Sequence, residues 1–297
     1  MHILITGGTG FVGSTLCEQF KNLGFKIFIL TRKSTRKPNL DQSIELINNV
    51  NNFKQHYDVI INLAGEPLNK KRWNDKVKQE IYNSRINTTK DIINYIKKAA
   101  IKPKVLISGS AIGYYGNDQD KIFTEESLPA DAGFTNKLCN DWEQIALQAT
   151  QHGVRVCLLR TGIVLGKNGG ALKELIMPFK FGLGATLGNG TQWMSWIHIQ
   201  DMIEAIMYLI NNDNLNGPFN LTAPTPVTNT EFSKQLAKVL HRPCFLKLPN
   251  IMVKLLFGEM GETLLLKGQK VLPDKLIKAG YKFKLQTLAE AFESMLL

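Results

Sequence analysis

A chain of 297 residues with 44% hydrophobic content can bury one large core, or one core with an appended lobe. No apolar run approaches the ~20 residues that cross a bilayer, and the four cysteines (Cys17, Cys139, Cys157 and Cys244) form no CxxC pair and no metal-ligand spacing. These features argue against a membrane protein, a metal site and a disulfide scaffold, and for reduced thiols in a cytoplasm. The net charge of +11 is unevenly spread, with eleven Lys/Arg against three Asp/Glu between Asn69 and Lys104. A dinucleotide and an anionic small-molecule substrate both need such surroundings. No aromatic-interleaved basic strand accompanies the charge, which counts against a nucleic-acid partner.

His2 to Thr6 is a short apolar run bounded by glycines, the pattern of a buried parallel strand, and no signal or transit segment is expected before it. Gly7, Gly8, Gly10 and Gly13 follow. Then come a helical stretch, Thr15 to Leu23, with Leu16, Phe20 and Leu23 on one face, Gly24 as its C-cap, and a second strand, Phe25 to Leu30. Strand, glycine turn, helix and strand within about 30 residues is the context that predicts a dinucleotide site. Gly7 and Gly8 permit the tight turn, Gly10 the approach of a pyrophosphate, and Gly13 close packing of helix on sheet. The N–H groups of the helix start, at Phe11, Val12 and Gly13, are expected to meet the phosphates.

Thr31 and Arg32 stand where an NAD-selective site carries a carboxylate for the ribose 2′-OH. A guanidinium there, with Lys33, Arg36 and Lys37 behind it, favours NADP(H) over NAD(H); the alternative is a solvated basic loop. A third strand, Asp58 to Gly65, ends in Leu63, Ala64 and Gly65, where small residues leave room for the cofactor. Helical stretches follow over Trp73 to Arg85 and Asn87 to Lys98. Within them Glu80, Ser84 and Arg85 are candidates to face the cofactor, with solvated helix charges as the alternative. A fourth strand, Lys104 to Gly109, carries Ser108 and runs into Ser110 and Tyr114-Tyr115. Phe134 to Thr150 reads as a helix, and Arg155 to Leu165, with Arg160 and Gly162, as a central strand followed by a loop to Gly170. Pro178 to Trp196 reads as an irregular glycine-rich wall or lid, with Trp193 either stacking on a ligand or anchoring the loop. His198 reads as a packed histidine and Asp201 as the N-cap of a helix from Met202 to Ile210. Thr228 or Asn229 caps the helix Thr230 to Leu240, and short basic helices complete a substrate cleft. The predicted class is α/β: a Rossmann-type doubly wound parallel sheet over 1–223, its loop 166–197 contributing to the substrate lobe, with a smaller C-terminal substrate-side segment over 224–297.

The motifs TGGTGFVG, NLAGEP, RW…SRI (Arg72 to Ile86), SGSAIGYYG, CNDWE (Cys139 to Glu143) and LRTGIVLG (Leu159 to Gly166) are joined later by WMSWIHIQD, NLTAP and LLLKGQKVLP. Together they span nearly the whole chain. They resemble the extended short-chain dehydrogenase/reductase superfamily, and within it an atypical family whose members are labelled NAD-dependent epimerase/dehydratase or cell-division inhibitor. The resemblance implies a serine followed by a Tyr-x-x-x-Lys pair on the next helix. There the phenol exchanges a proton and the lysine lowers its pKa while holding the nicotinamide ribose. Ser110 matches the serine. With Glu143 as landmark, Thr135 stands at the tyrosine place and Cys139 at the lysine place, while Lys137 is two positions early on another helix face. An unactivated threonine is a poor acid or base, which leaves Ser110 and Tyr114 as the catalytic candidates and packed aromatics as the alternative for the tyrosines. The resemblance also runs the backbone after Arg160 past the nicotinamide carboxamide, with Arg160 ordering that turn or facing a substrate anion. The function so implied is an NADP(H)-binding oxidoreductase or epimerase-like protein that acts on a small substrate without the usual pair. A non-catalytic NADP(H)-binding regulatory protein is the alternative.

Overall fold

The computed structural model describes residues 1–31, 41–50, 55–130, 133–167 and 169–296. Its first half runs β1 (His2–Thr6), α1 (Phe11–Asn22), β2 (Lys26–Leu30), β3 (Glu45–Ile47), β4 (Val59–Asn62), α2 (Asp75–Lys98) and β5 (Val105–Ala111). A 3-10 turn over Ile112–Tyr115, β6 (Asp118–Phe123), α3 (Phe134–Leu147) and β7 (Arg155–Thr161) follow. Then come β8 (Ile163–Gly166), α4 (Gly170–Lys180), β9 (Ala185–Leu187), β10 (Trp193–Met194), β11 (Trp196–His198), α5 (Ile199–Asn211) and β12 (Gly217–Leu221). The last stretch holds β13 (Val227–Thr228), α6 (Asn229–Val239), β14 (Leu246–Leu248), α7 (Asn250–Leu264), β15 (Gln269–Val271), α8 (Asp274–Lys278) and α9 (Leu288–Leu296).

Among the described residues a seven-stranded sheet has the order β12-β7-β5-β4-β1-β2-β3, with every neighbouring pair parallel. The chain winds outward from β1 through β2 to β3 and then returns to the other side of β1 at β4. The order therefore reverses between β1 and β4, and a crevice opens at their carboxyl ends. Alternation decides the layers. Ile3 and Ile5 pack with Leu16 and Phe20 of α1 and Met202 and Ile206 of α5. Leu4 points the other way, against Ile92 and Ile96 of α2 and Ala146 of α3. Helices on both faces explain why these strands read as unbroken apolar runs. A third cluster joins Trp196 and Leu172 to Phe232, Leu236 and Phe292. Met260 of α7 packs with Trp73, Ile81 and Leu138 over α2 and α3.

Several boundaries differ from the sequence reading. The helix after the glycine turn starts at Phe11 rather than Thr15, and 75–98 is one helix, opened by the Asn74 side chain accepting from Val77 N–H. β3 was not expected; it is a three-residue edge strand with too few positions to show a period. The strand expected over 155–165 breaks at Gly162, whose N–H turns to Leu221 O while Ile163 N–H turns to Ser195 O. A Cβ on Gly162 would lie 2.4 Å from Ser195 O. The stretch 178–196 is more regular than expected: Pro178 lies within the last turn of α4, which runs to Lys180, and β9, β10 and β11 pair with β14, β13 and β8. Asp201 is not the cap of its helix. His198 caps α5, its Nδ1 accepting from Gln200 N–H at 3.2 Å. Asp201 instead accepts from the N–H groups of Lys284 and Leu285 at 2.8 and 3.0 Å and from the Tyr281 hydroxyl. Thr228 caps α6 in a reciprocal capping box with Glu231. No described helix is long and apolar enough to cross a membrane, and no cluster of described side chains could hold a metal ion.

Candidate functional site

The turn after β1 is set by positions that exclude a side chain. Gly7 sits at φ +70, and a Cβ there would lie 2.5 Å from Leu63 O at the end of β4. A Cβ on Gly13 would lie 2.3 Å from Gly7 O, and one on Gly8 would meet the Ile29 side chain at 2.8 Å. Gly10 N–H donates to Gly7 O at 2.9 Å and closes the turn. α1 then begins with no side-chain cap on Gly10 and no acidic residue in its first turn. The N–H groups of Phe11, Val12 and Gly13 lie in that first turn, where a helix has no acceptors of its own, at its positive end. The Phe11 ring packs against Gly166, Gly169 and Gly170, so the loop after β8 is seated on the start of α1.

Beside this turn, Thr6 Oγ1 donates to Asn62 Oδ1 at 2.7 Å and accepts from Ala64 N–H at 3.1 Å, which fixes how β4 leaves the sheet through Leu63, Ala64 and Gly65. Ser108 pairs with Asn62 across β5 and β4, and its buried hydroxyl has no hydrogen-bond partner among the described residues. Thr31 is half-buried at the end of β2 and donates its N–H to Ile47 O. Arg32, Lys33, Arg36 and Lys37 lie outside the described residues. Arg85 lies beneath Gly65, where a Cβ would stand 2.7 Å from Cζ, and over the Trp142 ring at 5.4 Å. Glu80 does not join this group: it is exposed and ion-paired with Lys71 at 3.0 Å on the outer side of α2.

The residues expected to carry the proton chemistry are brought together, but in a closed network. The Ser110 hydroxyl donates to Glu143 Oε1 at 2.6 Å. Arg160 grips the same carboxylate side-on, with Nε to Oε1 and Nη2 to Oε2, both at 2.8 Å. Its Nη1 donates to the Tyr115 hydroxyl at 3.1 Å, and that hydroxyl donates to Asn220 Oδ1 at 2.7 Å. Asn220 N–H in turn donates to Glu125 at 2.9 Å. Burial opposes the charge on Arg160, but the hydrogen bonds and field of Glu143 outweigh it and hold the guanidinium protonated. Burial pushes the Tyr115 phenol up to about 12. Arg160 therefore does not face a substrate anion. It is buried in an ion pair, and Ser110 spends its proton on the same pair.

Thr135 and Cys139 line the face of α3 that packs on the 3-10 turn: a Cβ on Gly113 would lie 3.1 Å from Thr135 Cβ and 3.9 Å from Cys139 Sγ. Burial, then the charge of Glu143, pushes the Cys139 thiol up to about 11, so it is neither a cation nor a nucleophile near neutral pH. Lys137 is exposed and pairs with Asp141, as its place on another helix face implied. Tyr114 is half-buried, its ring 3.4 Å from the Arg160 guanidinium, and its hydroxyl makes no hydrogen bond among the described residues.

Glu143, Glu125, Asn220 and Trp142 were not singled out as members of a network. A usable signal existed for one pair. Glu143 falls on the apolar face of α3 with Cys139 and Ala146, and Arg160 sits in an otherwise apolar strand; a charge inside each apolar pattern calls for a partner in the other.

Comparison with known proteins places this arrangement. Residues 3–222 match the model of the NAD dependent epimerase/dehydratase family, and residues 248–295 match a domain of unknown function, DUF1731. Epimerase family protein SA0724 of Staphylococcus aureus is 41% identical over 99% of this chain and 98% of its own length. Epimerase family protein YfhF of Bacillus subtilis is 39% identical over 100% and 98%. Among solved structures, the human epimerase family protein SDR39U1 (isoform 2) with NADPH superposes with a TM-score of 0.90 at 29% identity, over 100% of this chain and 99% of that one. MoeE5 with UDP-glucuronic acid and NAD shares the fold at 19% identity and a TM-score of 0.79, over 100% and 98%. By sequence over nearly its full length and by fold, this chain belongs to the NAD dependent epimerase/dehydratase family.

Proposed function

We propose that the protein binds NADP(H) and acts as an oxidoreductase or epimerase-like enzyme on a small substrate, without a Tyr-x-x-x-Lys pair. The observation that carries the reading is the glycine cradle. Cβ atoms are excluded at Gly7 and Gly13, and the cradle leads into a helix start with neither a cap nor an acid. That combination suits a pyrophosphate approaching the backbone. The buried Ser108 hydroxyl, without a partner among the described residues, and the small residues Ala64 and Gly65 fit a cofactor along the ends of β4 and β5. Thr31 and Leu63 follow β2 and β4 on the same side of the sheet, and Gly162 directly follows β7, the neighbour of β5. When bound, the cofactor supplies hydride transfer, and the chain's part is to hold and orient it. The NADPH in the human relative and Arg32 in this sequence support the 2′-phosphate form. We also propose a division between the cofactor-binding part and the substrate-side segment at 223/224, two residues after β12 ends at Leu221.

Tyr114 is the proton donor of this reading. It is a partly exposed phenol in the 3-10 turn after β5, close to the Arg160 cation, with its hydroxyl making no hydrogen bond among the described residues. The second reading, a regulatory protein that holds the nucleotide without turnover, is favoured by Ser110 being locked to Glu143 and by the neutral Cys139 at the lysine place.

Two measurements decide between them. Fluorescence titration should show tighter NADPH than NADH binding, and Arg32→Asp should erase the difference; equal affinities for the unmodified protein would sink the 2′-phosphate argument. NADPH absorbance followed across a panel of carbonyl and enone compounds should show turnover that Tyr114→Phe reduces. A flat panel with tight NADPH binding would leave the regulatory reading.

A further inference from the structure

The large apolar side chains left in solvent are not scattered over the molecule. Ten of the sixteen that are exposed among the described residues fall in two short stretches, 177–183 and 245–257. β14 pairs with β9 in the register Leu246 to Ala185, and Arg242 Nε donates to Lys180 O at 3.1 Å, so the two stretches run side by side. Phe181 and Phe245 are 73% and 81% exposed. α7 follows β14 directly. On it Ile251 and Leu255, 74% and 67% exposed, stand one turn apart, and Met252 and Leu256 form a second exposed pair beside them.

α7 has two halves in different surroundings. Gly258, at φ +63 and ψ -146, breaks the helix, with the Arg72 side chain against the break. After it, Met260 is buried with Trp73 and Leu138, and Glu259 is held by Lys78 at 3.0 Å. Before it, Val253 is the one buried side chain of 250–257. A helix turn that is apolar on its outer face as well as its inner one is suited to a further surface that covers it.

The charges decide which surface. Stretches 170–187 and 242–257 hold five Lys/Arg, at Lys173, Lys180, Arg242, Lys247 and Lys254, against one acid, Glu174, and all six are exposed. Lys254 pairs with Glu262 at 3.1 Å; the other four cations form no ion pair among the described residues. A second copy docked through a two-fold axis would set these cations against themselves. An anionic lipid surface meets both features at once: the acyl boundary takes the apolar side chains and the headgroups take the cations.

We propose that the first half of α7, with the β9–β14 pair beside it, is a docking surface for an anionic lipid bilayer, on which the protein lies without crossing it. The inference is independent of the NADP(H) reading.

The test sediments full-length protein with sucrose-loaded vesicles of phosphatidylcholine, alone or with about one-third phosphatidylglycerol. Binding should appear with phosphatidylglycerol, be absent without it, and weaken as salt rises. Ile251→Ala combined with Leu255→Ala should lower the bound-to-free ratio by about tenfold or more. The melting temperature should hold, because both side chains are exposed and alanine favours a helix. Lys180→Gln with Lys247→Gln should lower the ratio by about tenfold as well, whereas Lys97→Gln with Lys98→Gln, at the exposed end of α2, should change it by less than about twofold. Should the alanine pair melt early, the two glutamine pairs carry the test. The proposal is overturned if neither vesicle is bound, if both are bound equally, or if all the variants bind as the unmodified protein does, which would leave net charge as the whole attraction. With no vesicle binding, a concentration-dependent dimer that the alanine pair dissolves would give this face to a second copy instead.

Discussion

At Ser110 the hydroxyl proton points at Glu143 from 2.6 Å, and that carboxylate already carries two hydrogen bonds from Arg160. Replacing Arg160 by leucine leaves Glu143 buried without its cation. It should cost about 3–5 kcal/mol of unfolding free energy, measured from denaturant midpoints, whereas Arg160→Lys keeps the charge and loses less. His198 gives the pH dependence at the same scale. Burial lowers its pKa below the ordinary value, so the folded protein prefers the neutral ring. Its contribution to stability is then fully present above the unfolded-state pKa, near about 6.5, and is lost as pH falls through the lower folded value. His198→Asn keeps a side-chain acceptor at the cap and removes the titration. The unfolding free energy of the variant should fall less between neutral and acidic pH than that of the unmodified protein.

At the scale of the elements, two glycines, one in the first turn of α1 and one just after β4, should behave differently. Gly13→Ala forces a Cβ to within 2.3 Å of a backbone oxygen, so the turn itself must move. NADPH binding should be lost along with part of the stability, read by titration and by thermal melting. Gly65→Ala meets instead a side chain, the Arg85 guanidinium, rather than backbone, so it should lower the melting temperature by less than Gly13→Ala does. This contrast also marks what the sequence could and could not disclose. β1, the turn and α1 were legible because glycine spacing and helical period coincide within a few residues. α4 was not, because it opens on Gly170 and carries Pro178 in its last turn, both signs of a break. The Ser110–Glu143–Arg160 group was legible only as three separate residues; which strand end meets which helix turn is settled by sheet order, not by spacing. Glu80 and Arg85 share one helix but not one face: Glu80 is exposed and pairs with Lys71, whereas Arg85 turns under Gly65.

At the scale of the whole molecule, the C-terminal segment is tied to the nucleotide-binding part through polar contacts as well as packing. Asp201, fully buried, gathers the backbone N–H groups of Lys284 and Leu285 and the Tyr281 hydroxyl. Asp201→Ala strands those donors and should cost about 2–5 kcal/mol. Hydrogen exchange should show protection lost around 281–296 before it is lost in the central strands. Phe11 makes a second tie, and its consequence is historical. Its ring fills the volume that Cβ atoms would need at Gly166 and Gly169, each of which would come within 2.5 Å of it. The bulky residue that opens the first helix and the bare backbone some 150 positions later are thus two halves of one steric agreement. A lineage that trims the ring gains licence to put side chains on the later loop, and one that keeps the ring holds that loop bare. Side chains on that later loop are then expected first in relatives whose residue after the third glycine of the opening motif is small.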